Sequence, residues 1–248
     1  MPGARSPEGA RSAVLAGEAV TLPAPYYSED GITIYCGDCR EIAPVLSSRG
    51  LVLTDPPYGI AYNREDRPQT KHRFSSGRQV ASVVGDDDLF DPSPWVSGPC
   101  ILWGANEFYS RLPPGGTWLV WDKVTRNDLA VRIGEGEFAW ANVVGRTRIF
   151  RWLWSGNYRS GGAGDSRLFV HPTQKPVALM RWCIGLWDRS GPILDPFMGS
   201  GTTLVAAKQL GRKAIGIEIE ARYCEMAVQR LAQGVLPLSP EGEREVAT

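Results

Sequence analysis

The sequence predicts an α/β fold on a doubly wound, mostly parallel sheet, carrying a small inserted region of different character. Three observations predict it. Short apolar runs of strand length recur along the chain. In the last third they alternate with helix-length segments. One strand also passes into a helix through a turn with two glycines, Asp195-Pro-Phe-Met-Gly199-Ser-Gly201-Thr-Thr203. Strands that alternate with helices return the chain to the same end of the sheet each time, which makes neighbouring strands parallel.

Taken in order, residues 1–25 are rich in Gly, Pro, Ala and Ser without periodicity and read as a flexible arm. Residues 31–35 alternate as a strand does. The apolar run 51–54 ends at Asp55-Pro-Pro, where proline has no N–H to give to a ladder, so a strand must stop there. Residues 101–103 and 117–121 are further buried-strand candidates. The strands 193–194 and 214–219 flank a helix over 203–210, with Gly211 as its C-terminal cap, and 221–233 makes another helix. Two segments, 61–88 and 145–169, are polar, arginine-bearing and loop-like, and loops of that length in a compact domain are commonly functional. The tail over 236–248 holds Pro237, Pro240 and the charged Glu241-Gly-Glu-Arg-Glu245. A single domain over 26–235 is therefore expected, with 61–88 and 145–169 as its insertions.

Composition bounds the class. The 248 residues are 43% hydrophobic and 22% charged, which excludes a disordered or collagen-like chain. No apolar run approaches the ~18 residues of a membrane span. The first residues lack an apolar stretch of signal-peptide length, so a soluble, cytoplasmic protein is expected. Five cysteines fit a reducing compartment better than a disulfide scaffold. The 27 Lys and Arg balance 27 Asp and Glu. Zero net charge taken alone argues against a nucleic-acid binder.

Two turns carry the chemistry. In the first, Gly199 and Gly201 let the backbone turn tightly, and the following helix offers unpaired N–H groups to a ligand. Glu218 ends the next strand, where an acid can accept from both hydroxyls of a ribose. The third glycine of a dinucleotide fingerprint is replaced by Leu204 and the lysine of a phosphate loop is missing, so the pattern fits a nucleoside cofactor of another kind. The second turn is Thr54-Asp-Pro-Pro-Tyr58-Gly59. Its prolines stiffen a loop that presents carbonyls and no donors. Asp55 and the carbonyl of Pro56 can accept both N–H bonds of an exocyclic amine, while Tyr58 stacks on its ring. Two acceptors draw such an amine toward tetrahedral geometry and free its lone pair for attack.

The chain here resembles the amino-methylating DNA methyltransferases, which modify adenine N6 or cytosine N4 with S-adenosylmethionine. Asp55-Pro56-Pro57-Tyr58 is similar to their catalytic motif, and 195–203 to their cofactor loop. The segment 171–176, His-Pro-Thr-Gln-Lys-Pro, resembles one that the family places beside the methionine end of the cofactor. Gly37-Asp38 resembles an element that contacts the cofactor adenine. The resemblance implies a Rossmann-like methyltransferase sheet and a catalytic set of Asp55, Pro56, Pro57 and Tyr58. It further implies cofactor contacts from Asp38, Lys175, Asp195, Phe197, Gly199, Ser200, Gly201, Thr202 and Glu218. The catalytic motif precedes the cofactor loop, which is the family's permuted, beta-type order. Direct transfer to a base flipped out of double-stranded DNA is implied. Adenine N6 is preferred, because turns that open with Asp are commoner among the adenine enzymes. Alternatives are cytosine N4, an RNA or protein amide acceptor, and a noncatalytic DNA-binding regulator. No nuclease-sized segment is left over, so cleavage would come from a separate restriction endonuclease.

Arg146, Arg148, Arg151 and Arg159 are interleaved with Phe150, Trp152, Trp154 and Tyr158, with no acid among them. Guanidinium groups hold phosphates or read guanine edges, and aromatic rings stack on unpaired bases. The loop after the catalytic turn adds Arg64 and Arg73. Both segments are expected to contact DNA, and zero net charge then averages basic loops with acids elsewhere.

Competing motifs have plainer readings. Cys36 and Cys39 have no second pair, and neither His72 nor His171 stands at ligand spacing, so no metal is expected. Pro99-Cys100 leads into an apolar run and reads as core, not as a nucleophile. Asp86-Asp87-Asp88 reads as a solvated turn, and Trp103, Trp118 and Trp121 read as core.

Overall fold

Burial of every residue explains why Leu51–Thr54 (β3) and Cys100–Trp103 (β4) form the middle of a sheet covered on both faces. The computed structural model describes residues 21–46, 50–59, 89–124, 134–155, 158–159 and 174–233. The remaining strands are β1 (Tyr27–Glu29), β2 (Ile32–Cys36), β5 (Thr117–Asp122), β6 (Gly136–Ala141), β7 (Arg148–Arg151), β8 (Trp154–Ser155), β9 (Tyr158–Arg159), β10 (Ile193–Asp195) and β11 (Ala214–Glu218). Among the described residues the helices are α1 (Cys39–Val45), α2 (Val177–Gly185), α3 (Thr202–Gln209) and α4 (Ala221–Ala232). Nine strands form one sheet in the order β1-β2-β11-β10-β3-β4-β6-β5-β7, and β8 pairs with β9 apart from it.

Among the nine, β1 and β6 run against the other strands. From β3 the chain builds toward β4, and from β10 it builds the other way, toward β11. The sheet therefore has its topological switch point between β3 and β10, where ligands bind at the carboxyl ends of the strands. One face packs Ile32, Leu51, Trp103 and Trp121 against Met180 of α2, Leu204 of α3 and Leu231 of α4. The other packs Val52, Leu102 and Leu194 against Ile42 of α1 and against Phe90, Trp95 and Phe108.

The strands expected at 31–35, 51–54, 101–103, 117–121, 193–194 and 214–219 are present within one residue at most boundaries. Helices α3 and α4 lie where expected. Elements β1, β6, α1 and α2 had no clear pattern in the sequence. The expectation of a loop over 145–169 is corrected in part. Residues 148–151 are the edge strand of the main sheet, paired in parallel with β5, so these four residues belong to the sheet and not to a loop. Trp103 and Trp121 are core as expected, whereas Trp118 is 37% exposed and packs edge-to-face on the exposed Phe138. Cys100 is buried at the start of β4, and burial pushes its thiol up to about 12, which suits a core residue and not a nucleophile. Residues 1–20 of the arm, the whole 61–88 segment with Arg64, Arg73 and Asp86–Asp88, residues 156–157 and 160–169 of the second segment, His171 and the tail over 236–248 lie outside the described residues.

Candidate active site

The two turns that the sequence singles out meet at the switch point. Thr54, the last residue of β3, donates its hydroxyl to the carboxylate of Asp195, the last residue of β10, at 2.7 Å. The same Asp195 oxygen accepts the backbone N–H of Phe197 at 3.2 Å. Asp195 is 4% exposed, and burial pushes its carboxyl up to about 6. Expected as a cofactor contact, Asp195 is here a tie beneath both turns.

Beyond Asp195 the chain makes the glycine turn. Gly201 has φ +79°, and a Cβ there would stand 2.7 Å from the Cβ of Ala227, so close packing of α4 requires glycine. Arg230 of α4 reaches under the turn and donates to the Ser200 carbonyl at 2.7 Å and hydroxyl at 3.0 Å. It also donates to the Thr202 hydroxyl at 3.1 Å. Ser200 and Thr202, expected to touch the cofactor, are both buried and shape the turn from below. Arg230 belongs to no motif, and only the packing of α4 exposes its role.

The cofactor side is open above this base. Gly199 has free space where a side chain would be, and its N–H donates to Glu218 at 3.0 Å. The other Glu218 oxygen accepts from the Glu220 N–H at 2.9 Å, and burial raises the Glu218 carboxyl. Each carboxylate oxygen keeps a lone pair for a ribose hydroxyl. Phe197 forms a wall with Phe90 and Trp95, both at 5.7 Å between ring centroids. Asp38, just past β2, accepts the Arg40 N–H at 2.8 Å as the cap of α1. The Arg40 side chain hydrogen-bonds the same carboxylate and lowers its pKa. An acid pair, an aromatic wall and bare backbone at three strand ends fit a nucleoside cofactor.

The reacting side has a denser arrangement. Tyr58 donates its hydroxyl to Oδ1 of Asp55. Its ring lies on Gly104, where φ is +71° and a Cβ would stand 1.9 Å from the tyrosine ring. The phenol is half-buried beside the Asp55 carboxylate, and its loss of solvent and that charge both raise its pKa well above the ordinary value. Oδ2 of Asp55 pairs with the Lys175 ammonium, which is 7% exposed. The resemblance implies Lys175 beside the methionine end of a cofactor, and the structure joins it to Asp55. Its ammonium also lies 3.0 Å from Glu137 of β6, and Glu137 pairs in turn with Lys123. Burial works against the charge on Lys175, yet Asp55 and Glu137 outweigh it and hold its pKa well above the lysine range. Burial would raise Glu137, but Lys175 and Lys123 pull it down to about 2. Nothing local in the sequence marked Glu137, Lys123 or Gly104.

The expected DNA-contacting arginines are divided by β7. Arg151 stands level with Asp122 at the catalytic edge and lies 3.6 Å from its carboxylate. Arg148 pairs with Leu119, so it sits about 10 Å lower along the strand. Arg146 precedes it and is exposed. These two are thereby removed from the catalytic edge, because their segment is a strand running toward it. Trp152 is half-buried and stacked on Phe150 at 5.9 Å, so it supports the edge instead of standing free. Arg159 lies in β9, on the short hairpin beyond this edge.

Comparison with known proteins adds the lineage. The profile of the DNA methylase family matches residues 118–229. A type II methyltransferase of Lactococcus lactis subsp. cremoris, M2.LlaDCHI, is 51% identical over 65 residues. That match spans 26% of this chain and only 24% of the relative. The putative methylase YubD of Escherichia coli is 28% identical over 233 residues, covering 79% of this chain and 88% of its own. The solved structure of the PvuII DNA methyltransferase (cytosine-N4-specific) overlays with a TM-score of 0.52 at 16% identity, covering 88% of this chain and 92% of that one, which bears on the fold. With its two turns joined at the switch point, the chain is similar over residues 118–229 to the DNA methylase family, and over most of its length, at 28% identity, to a putative methylase.

Proposed function

We propose that this chain methylates the exocyclic amino group of a base in double-stranded DNA, with S-adenosylmethionine as donor and adenine N6 as the preferred acceptor. The observation that carries the reading is the hydrogen bond between Thr54 and Asp195, which holds the amine-accepting turn against the cofactor turn. Bound S-adenosylmethionine supplies an electrophilic sulfonium methyl. Glu218, Asp38, Phe197 and the Gly199 backbone would hold it, over a turn shaped by Asp195, Ser200, Gly201 and Thr202.

The chain's own work is positioning. Asp55 and the Pro56 carbonyl accept the two N–H bonds of the amine, and this frees the nitrogen lone pair for in-line attack. Tyr58 exchanges its hydrogen bond to Asp55 for stacking on the flipped base, and Pro57 keeps the turn rigid. Lys175 stays on Asp55 and fixes the direction of its carboxylate. Arg151, level with Asp122, and Arg159 on the hairpin that follows are, with Arg64 and Arg73 after the catalytic turn, proposed to hold the DNA backbone. Arg146, Arg148 and Trp152 serve as a more distant or supporting part of that surface. Several relatives are named type II methyltransferases, and on that ground a separate restriction endonuclease is a proposed partner.

Incubation with methyl-labelled S-adenosylmethionine and plasmid DNA, total RNA or a protein mixture tests the acceptor class. Label in DNA alone is expected. Label in RNA or protein and none in DNA would overturn the reading.

A further inference from the structure

Four charged side chains alternate in sign through the reacting side: Asp55, Lys175, Glu137 and Lys123. They arrive from unconnected parts of the fold: the turn after β3, the residue before Pro176, the second position of β6 and the end of β5. Strand β6 runs against β4 and β5, which brings its first residues to the catalytic edge, with Glu137 opposite Trp121. Tyr58 faces the same group through Asp55; Asp55, Glu137 and Tyr58 bear directly on Lys175, and Lys123 bears on it through Glu137.

We infer that Glu137 is a positioning residue for amino-group methylation: it holds the Lys175 ammonium between two carboxylates and thereby sets the Asp55 carboxylate that receives the target amine. The inference rests on the proposed function and extends it to a residue outside both catalytic turns. A lysine 7% exposed with one carboxylate partner would settle wholly on that partner. Asp55 would then spend on Lys175 the acceptor capacity that the amine needs. Drawn from the far side by Glu137 at 3.0 Å, the ammonium is shared, and Asp55 keeps a lone pair free. Glu137 also completes the charge balance, since it is the carboxylate that Lys175 and Lys123 share.

The test compares wild-type enzyme, Glu137→Gln and Glu137→Asp in methyl transfer to DNA, with cofactor Kd measured by calorimetry. E137Q is expected to lower kcat about 100-fold, the cost of misplacing a reacting group by about an ångström. Its cofactor Kd should stay within about twofold of wild type. Loss of one counter-charge makes the Lys175 proton easier to remove, so E137Q should show a fall in kcat between about pH 7 and pH 10 that the wild type lacks. E137D keeps the charge on a shorter arm and should lose about 3–10-fold in kcat with no such fall. A merely structural role would lower kcat equally at every pH. Wild-type kcat in either variant, or a uniform loss in E137Q, would overturn the inference, and Glu137→Ala, read by the same pH profile with the same expected fall, decides it if E137Q does not fold. Absence of transfer by the wild-type enzyme would instead overturn the proposed function.

Discussion

Asp195 is where the cost of joining two turns can be measured. Its carboxyl ionises at 3.8 in an unperturbed chain and at about 6 in the fold, because burial disfavours the charge. Between those values the folded state binds the proton more tightly than the unfolded one, so stability falls as pH rises through the window. Above about pH 6 the full penalty is present, about 3 kcal/mol at about 1.4 kcal/mol per pH unit. Asp195→Asn removes the ionisation and keeps the geometry. One carboxylate oxygen, Oδ1, accepts from both Thr54 and Phe197, and the asparagine carbonyl can take that place. Urea unfolding of wild type and D195N from about pH 4 to pH 8 is the assay. The variant is expected to be about equal in stability to wild type at the acid end and to gain about 1–3 kcal/mol over it near pH 7.5. A difference between the two proteins that stays constant across the range would refute the assignment of a buried, proton-binding Asp195.

Other outcomes follow from the same geometry. Asp55→Ala should keep cofactor affinity within about threefold and lower the transfer rate by at least about 100-fold, read by calorimetry and by label transfer. Glu218→Ala removes the acceptor proposed for the ribose and should weaken cofactor binding about 10–100-fold, as expected for charge-assisted hydrogen bonds. Unchanged affinity would remove that role. Gly104→Ala puts a methyl group into the Tyr58 ring and forces a left-handed alanine, so kcat should fall about 100-fold while cofactor affinity stays within about threefold.

What the sequence made legible was local. Asp55-Pro-Pro-Tyr58 and the 195–203 turn declare themselves because proline, glycine and a capping helix act over a few residues. Both turns lie at the strand ends where their spacing implied. The direct bond between them depends on β3 and β10 being neighbours, which no local pattern encodes. Glu137 and Lys123 were silent for a related reason. Lys175, the partner of Glu137, is distant in the chain, and only the reversed direction of β6 brings Glu137 between Lys175 and Lys123 at the end of β5. The misreading of 148–151 has another cause. Arg148–Arg151 is an edge strand with exposed arginines at both ends, so its period of two carries almost no apolar contrast. The same error placed Arg148 in a loop, when it opens a strand and stands three residues below Arg151.

The most direct test of the central claim is nucleoside analysis of plasmid DNA after incubation with the wild-type chain and S-adenosylmethionine. N6-methyladenine is the predicted product, absent from the same DNA treated with Asp55→Ala. N4-methylcytosine would contradict the adenine preference while keeping the amino-group chemistry. A methyl group on a ring carbon, or equal product from wild type and Asp55→Ala, would contradict the account itself.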